Sequence, residues 1–450
     1  MTPTSPNYYL GRVYDPKTKA TTSETIMLDP ANLTTHAVVT GMTGSGKTGL
    51  CIGLLEEAAL HGIPAIIIDP KGDLTNMVLH FPNQLATDFE PWIDPEAARR
   101  EGMTSSSWKN MSTVQSFLVV HQGALGDFIL ALPALETIRK AFPHAKSAIM
   151  GYPRILELVE KRFYAEEIFS IDQKGMATFF VRERALDFTL SEFFKRFDLI
   201  VVFGRDGEGT VVGNLRRVCQ GQIIPINSFP PWDGKVHATN HLLKQFSSFG
   251  LPASDSNPRL HLNESDREWA RDFWKSKGVA PEERSKVIIL HPGSGSKKKV
   301  WPLDQFVNLA RTLQDHSGSK ILIILGPAEG PEVQRAFEGT RPTEFIMAKG
   351  LTLLQLGSVM EGCWFYVGND SGVSHMAAAL GLPTIVIFGP TDQRVWSPKG
   401  ERTFVVRREI PCSPCPQERF FQCKDFECLR GIEMGEVLKG LEELGVEFKF

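Results

Sequence analysis

From about residue 113 to residue 450, short apolar runs alternate with helix-like stretches, and the pattern occurs twice in succession. Over 113–262 the expected strands are 117–121, 147–151, 167–171, 199–203 and 222–226, and the expected helices 127–142, 154–162, 186–197 and 237–249. Over 280–450 the expected strands are 287–291, 320–325, 344–347, 364–367, 384–388 and 403–406. Such alternation leaves few folds open. A helical crossover returns each strand parallel to the last, and helices then cover both faces of the sheet. The reading is α/β, with two doubly wound domains in series joined by a helical segment near 264–277. A ligand crevice then lies outside the strand carboxyl ends, between the domains.

One stretch of the second domain carries the clearest chemistry. The apolar run 364–367 leads through Gly368-Asn-Asp-Ser-Gly372 into a short Ala-rich helix. Backbone amides at Ser371 and Gly372 stand at that helix's N-terminus, where unpaired donors and the helix dipole favour a phosphate. His375 follows one turn on. In the first domain, Gly123-Ala-Leu-Gly-Asp127 joins a strand to a helix, and its two glycines allow a tight turn with a carboxylate at the sheet's mouth. Asp127 is therefore a candidate general base. The plainer alternative is an N-cap aspartate, and a helix N-terminus would lower its pKa and weaken it as a base.

These two motifs, with His291-Pro-Gly-Ser-Gly-Ser-Lys-Lys-Lys-Val-Trp-Pro302 between them, resemble in content and order the glycosyltransferase family 9 enzymes, the ADP-heptose:lipopolysaccharide heptosyltransferases. The resemblance spans about 113–450 and implies a GT-B fold of two Rossmann-like domains, an acceptor domain at 113–262 and a donor domain at 280–450. It implies an inverting transfer with Asp127 as base, Lys299 on the donor phosphate (Lys297 and Lys298 leave the position ambiguous) and Asp370 facing the donor sugar. Ser294 and Gly295 can offer a hydroxyl and an amide to the same diphosphate. Glu329 matches a carboxylate expected on the ribose hydroxyls, and Ser371, Gly372 and His375 surround the phosphates. The implied donor is ADP-heptose and the implied acceptor a lipopolysaccharide inner core at the inner-membrane face, with Arg205, Arg216 and Arg217 as candidate contacts for its anionic groups. No Asp-x-Asp motif stands at a suitable strand end, so the expected transfer is metal-independent.

Residues 1–110 read differently. Gly41-Met-Thr-Gly-Ser-Gly-Lys-Thr48 lies between expected strands at 36–40 and 63–69, with a helix at 48–61. It satisfies the P-loop pattern at Gly41, Gly44, Gly46, Lys47 and Thr48, in which amides cradle phosphates, the lysine reaches the β/γ oxygens and the threonine holds Mg²⁺. With Ile66-Ile-Ile-Asp-Pro-Lys-Gly-Asp-Leu74 it resembles the start of HerA/FtsK-like DNA-translocating ATPases over about 8–80. Asp69 ends an apolar run without a following glutamate, and the family's later strand has no counterpart. The expectation is a truncated module that binds ATP and Mg²⁺ weakly, linked through 90–112. The competing reading makes the whole chain a P-loop ATPase with accessory domains.

A formal net charge of −3 gives no general attraction to nucleic acid, and none is expected as a partner. The first residues lack a signal-peptide pattern, and no apolar run is long enough to span a bilayer. The expected location is cytoplasmic, peripheral at most to the inner membrane. Cys412, Cys415, Cys423 and Cys428 crowd the C-terminal end. Four thiolates so spaced can surround a tetrahedral zinc ion, or stand as reduced structural thiols in a Pro-rich loop.

Overall fold

The computed structural model describes residues 8–15, 20–29, scattered positions of a helical stretch between 50 and 58, and 114–446 except 183–184, 208, 232–235, 250, 252–254, 328 and 339–344. The chain divides into two compact units, Met1–Met103 and Thr104–Phe450. In the first, strands β1 (Tyr8–Asp15) and β2 (Ala20–Leu28) pair antiparallel from Tyr8 opposite Leu28 to Asp15 opposite Ala20. This hairpin was not expected from the sequence. The P-loop residues Gly41, Gly44, Gly46, Lys47 and Thr48, and the strands expected beside them, lie outside the described residues.

The second unit holds two parallel sheets. The first runs β5-β4-β3-β6-β7, with β3 Ser116–His121, β4 Lys146–Gly151, β5 Glu167–Ser170, β6 Leu199–Gly204 and β7 Gln222–Asn227. The other runs β10-β9-β8-β11-β12-β13, with β8 Ile288–His291, β9 Ile321–Leu325, β10 Ile346–Lys349, β11 Phe365–Asn369, β12 Thr384–Phe388 and β13 Thr403–Arg407. In each sheet the first strand in sequence lies beside the fourth, so strand order reverses between β3 and β6 and between β8 and β11. Ligands of doubly wound sheets bind at that switch point, outside the strand carboxyl ends. The central strands are buried on both faces, which explains their continuous apolar sequence.

Two expectations need correction. The helix expected at 154–162 is only Pro153–Leu156; beyond it the chain turns, Lys161 takes φ 52°, and Arg162 leaves to pair with Asp266 at 2.5 Å, both side chains nearly buried. The helix expected at 186–197 spans Phe188–Phe194, because the Asp187 side chain accepts from the Leu190 amide and caps it there.

Five helices matter for the site: α1 (Leu125–Ala141), α2 (Ala238–Ser248), α3 (Glu264–Ser276), α4 (Leu353–Met360) and α5 (Gly372–Ala379). Helix α1 is apolar along most of its length and lies against α2 and α5, while α3 lies against α4. One apolar cluster therefore runs from Phe117, Ile129 and Leu132 through to Tyr366, Met376 and Ala377. Polar ties also cross between the halves: the Leu354 amide donates to Glu157 at 3.2 Å, and His237 Nε2 lies 2.9 Å from the Ser397 carbonyl.

Candidate active site

Asp127 is the third residue of α1 rather than its N-cap, and its Oδ2 accepts the Ala124 amide at 3.2 Å. That contact and the nearby Lys299 favour the carboxylate, yet burial prevails and raises its pKa above the usual 3.8, with Asp370 adding to the rise. The weakening expected at a helix N-terminus is thus outweighed by desolvation. Gly123 makes room for the arrangement. A Cβ there would stand 2.6 Å from His121 Cε1 and 2.8 Å from Asp127 Cβ. The His121 Nδ1 accepts the Gly123 amide at 3.2 Å, and burial drops the imidazole's pKa to about 4, keeping it neutral.

From the other sheet, the loops after β8 and β11 face Asp127. Buried Asn369 stitches them together: its Nδ2 donates to the Pro292 carbonyl at 2.8 Å and its Oδ1 accepts the Trp301 amide at 2.9 Å. Trp301, fully buried, donates Nε1 to the Ile432 carbonyl and so anchors the end of the lysine turn. Two of the three lysines differ in what they meet. Lys299 Nζ lies 2.8 Å from Asp370 Oδ2, whereas Lys298 Nζ donates to the Phe420 and Phe421 carbonyls at 2.7 Å each. Thr391 Oγ1 donates to the same Asp370 oxygen at 2.7 Å, so Asp370 is held from two sides and its side chain is 7% exposed.

The remaining candidates fall around this pair. Ser294 is buried and donates its hydroxyl to the Asp370 carbonyl at 2.8 Å, which leaves it only acceptor capacity toward a ligand. Gly295 is exposed beside it. Glu329 Oε2 accepts the Gly326 amide at 2.5 Å and its Oε1 fills the space where Gly293 would carry a Cβ; burial raises its pKa. Ser371 is the N-cap of α5 but makes no side-chain cap bond. His375 is buried with Nδ1 unpartnered among the described residues, and burial lowers its pKa to about 4, which favours the neutral ring.

The two halves touch here. A Cβ on Gly372 would lie 2.8 Å from Leu125 Cβ, and one on Gly126 3.2 Å from His375 Cδ2. Gly372, expected beside the donor phosphates, also permits the close approach of α1. His121, His291, Asn369, Trp301 and Thr391 were not foreseen as site residues, although both histidines end a first strand just before a glycine turn.

Elsewhere, Arg205 stacks over Phe229 at 5.1 Å and Arg217 donates to Asn214 at 3.1 Å. Cys412, Cys415, Cys423 and Cys428 are all free thiols lining one cavity of about 140 Å³. Among the described residues no group of three or more His, Cys, Asp or Glu side chains is disposed to hold a metal ion. No described helix is long and apolar enough to cross a membrane.

Comparison with known proteins points to two families. Residues 226–423 match the family model for glycosyltransferase family 9 (heptosyltransferase), and residues 8–97 that for the helicase HerA central domain. Lipopolysaccharide heptosyltransferase 3 of Escherichia coli (strain K12) is 22% identical over 291 residues, covering 61% of this chain and 82% of that protein. Lipooligosaccharide heptosyltransferase 2 of Campylobacter jejuni subsp. jejuni (serotype O:2) is 27% identical over 328 residues, covering 71% and 95%. The fold is shared with a glycosyl transferase family 9 protein of Veillonella parvula (TM-score 0.61, 20% identity, 73% of this chain and 97% of that one) and with E. coli ADP-heptose lps heptosyltransferase II (0.57, 16%, 73% and 98%). The architecture is GT-B, and residues 226–423 carry a glycosyltransferase family 9 (heptosyltransferase) domain.

Proposed function

We propose that the enzyme moves heptose from ADP-heptose to a lipopolysaccharide core acceptor, by a single displacement that inverts the anomeric carbon. The observation that carries this reading is Lys299, paired with Asp370 in one half and in electrostatic reach of Asp127 in the other. Asp127, its pKa raised by burial, takes the proton of the acceptor hydroxyl as that oxygen attacks the sugar. The glycosidic bond to the diphosphate breaks, and its growing charge is met by Lys299 and the first-turn amides of α5. Lysine and helix dipole here supply charge stabilisation that a divalent ion supplies elsewhere, so we assign a metal-independent transfer. Glu329 is assigned to the ribose, the Gly295 amide to the diphosphate and Asp370 to the donor sugar side, while the Ser294 hydroxyl, committed to the Asp370 carbonyl, ties the two loops together. The names of the relatives, lipopolysaccharide and lipooligosaccharide heptosyltransferases, support the choice of acceptor.

The match of residues 8–97 to the HerA central domain favours a second, separate role: weak binding of ATP with Mg²⁺ by the loop bearing Lys47 and Thr48. The test of the main reading is transfer from ADP-, UDP- and GDP-sugars to Kdo–lipid A, with the anomeric configuration of the product read by NMR. Turnover with ADP-heptose and an inverted product supports the reading; turnover with another nucleotide alone, or retention, rejects it.

A further inference from the structure

His291 ends β8 under the N-terminus of α5, nearly buried, its pKa lowered by burial to about 4. Its Nδ1 lies 3.3 Å from Ser371 Oγ and 3.4 Å from the Tyr366 hydroxyl, and Tyr366 in turn lies 2.9 Å from Ser374 Oγ. The protons can be followed through this cluster. Ser374 spends its one hydroxyl proton on the Asn369 carbonyl, so it must accept from Tyr366. The Tyr366 oxygen, its proton given to Ser374, then faces Nδ1 as an acceptor, which calls for the proton on that nitrogen; Ser371 Oγ, 3.3 Å away and also 3.4 Å from Ser374 Oγ, can accept the same proton while keeping its own.

Ser371 is also anomalous as an N-cap. A serine there ordinarily turns its oxygen back to the amides of the first turn, and this one does not. We infer that His291 is a positioning residue: by donating Nδ1–H to Ser371 Oγ, it draws the hydroxyl off the helix, leaving the first-turn amides uncapped and the serine's proton free for a diphosphate oxygen. The inference rests on the proposed diphosphate site, which it deepens by naming what keeps that site open. Nothing else in the cluster can replace the donor, because Tyr366 and Ser374 have committed their protons.

The test is ADP binding by calorimetry to the full chain and to His291→Leu, His291→Asn, Ser371→Ala and the His291→Leu/Ser371→Ala double variant, with ¹⁵N shifts of labelled His291 reporting its tautomer. Loss of a hydrogen bond to a charged group is expected to weaken ADP by roughly tenfold or more in His291→Leu and in Ser371→Ala. The double variant should be no weaker than Ser371→Ala, and His291→Asn, which keeps a donor near the Nδ1 position, should recover most of the affinity. The ¹⁵N spectrum should show Nδ1 protonated. Equal ADP affinity in His291→Leu and the unaltered chain, additive losses in the double variant, or an Nε2–H tautomer would overturn the inference while the diphosphate site stands. Failure of the unaltered chain to bind ADP would overturn both.

Discussion

Gly372→Ala tests whether contact between the two halves sets the reaction geometry. The added methyl would stand 2.8 Å from Leu125 Cβ and 2.9 Å from its Cγ and Cδ2, where ordinary contact begins at 3.4 Å. Because Cβ is fixed to the backbone, no rotamer of Leu125 relieves the overlap, and α1 and α5 must part by about 0.6 Å or more. Overpacking of this kind costs about 1–3 kcal/mol of stability. The displaced backbone lies two residues from Asp127, and misplacement on the order of 1 Å can cost about a hundredfold in rate. The expected result, in a single-turnover assay at saturating donor, is a rate lower by roughly ten- to a hundredfold. Leu125→Gly added to the same chain removes the colliding Cβ and should restore most of the rate. An unaltered rate in Gly372→Ala, or no rescue by Leu125→Gly, would refute the argument that this contact positions the base.

Asp127→Asn should lower kcat by about 10²- to 10⁴-fold with donor affinity kept; a rate within threefold of the unaltered enzyme (on the order of a small perturbation) would remove Asp127 as base. Its raised pKa also makes two pH predictions. Activity should rise with pH along a limb placed above the ordinary 3.8, since the base works ionised. Burial of the carboxylate makes the fold lose stability as pH rises from 3.8 through the raised value, so Asp127→Asn should be more thermostable than the parent at neutral pH and lose that advantage in acid. Lys299→Ala should weaken ADP binding and turnover together, whereas Lys298→Ala, which frees the Phe420 and Phe421 carbonyls, should show mainly a lowered Tm; reversed effects would reassign the donor lysine. Lys47→Ala, and a chain beginning at Met111, should both keep heptosyl transfer, as the break between units at Met103/Thr104 suggests; loss of transfer in either would tie the first unit to the reaction.

The strands of both sheets were legible because a parallel strand buried on two faces reads as an unbroken apolar run, as in Ile288–His291 and Thr384–Phe388. Strand β10, Ile346–Lys349, runs two residues past the end of the expected 344–347, whose first residue lies outside the described residues; it sits at the sheet edge, where burial is partial. The helix at 154–162 failed for a tertiary reason: Arg162 is committed to Asp266, a partner far away in sequence, and helical spacing does not report that. The backbone frame of the candidate site was legible where local chemistry dictates residue type, as in the tightly packed Gly123 and Gly372 and the N-cap Ser371. The site was opaque where meaning depends on a partner. Three adjacent lysines look alike until one meets Asp370 and another meets two carbonyls. His121 and His291 read as ordinary strand ends until burial and their neighbours show them neutral and hydrogen-bonded.

Diffraction from crystals of the full chain soaked with ADP-heptose addresses the central claim most directly. The account predicts diphosphate oxygens within hydrogen-bond reach of Lys299 and the first-turn amides of α5, with the anomeric carbon turned toward Asp127. A nucleotide sugar seated away from both loops, or with its anomeric carbon turned from Asp127, would contradict it.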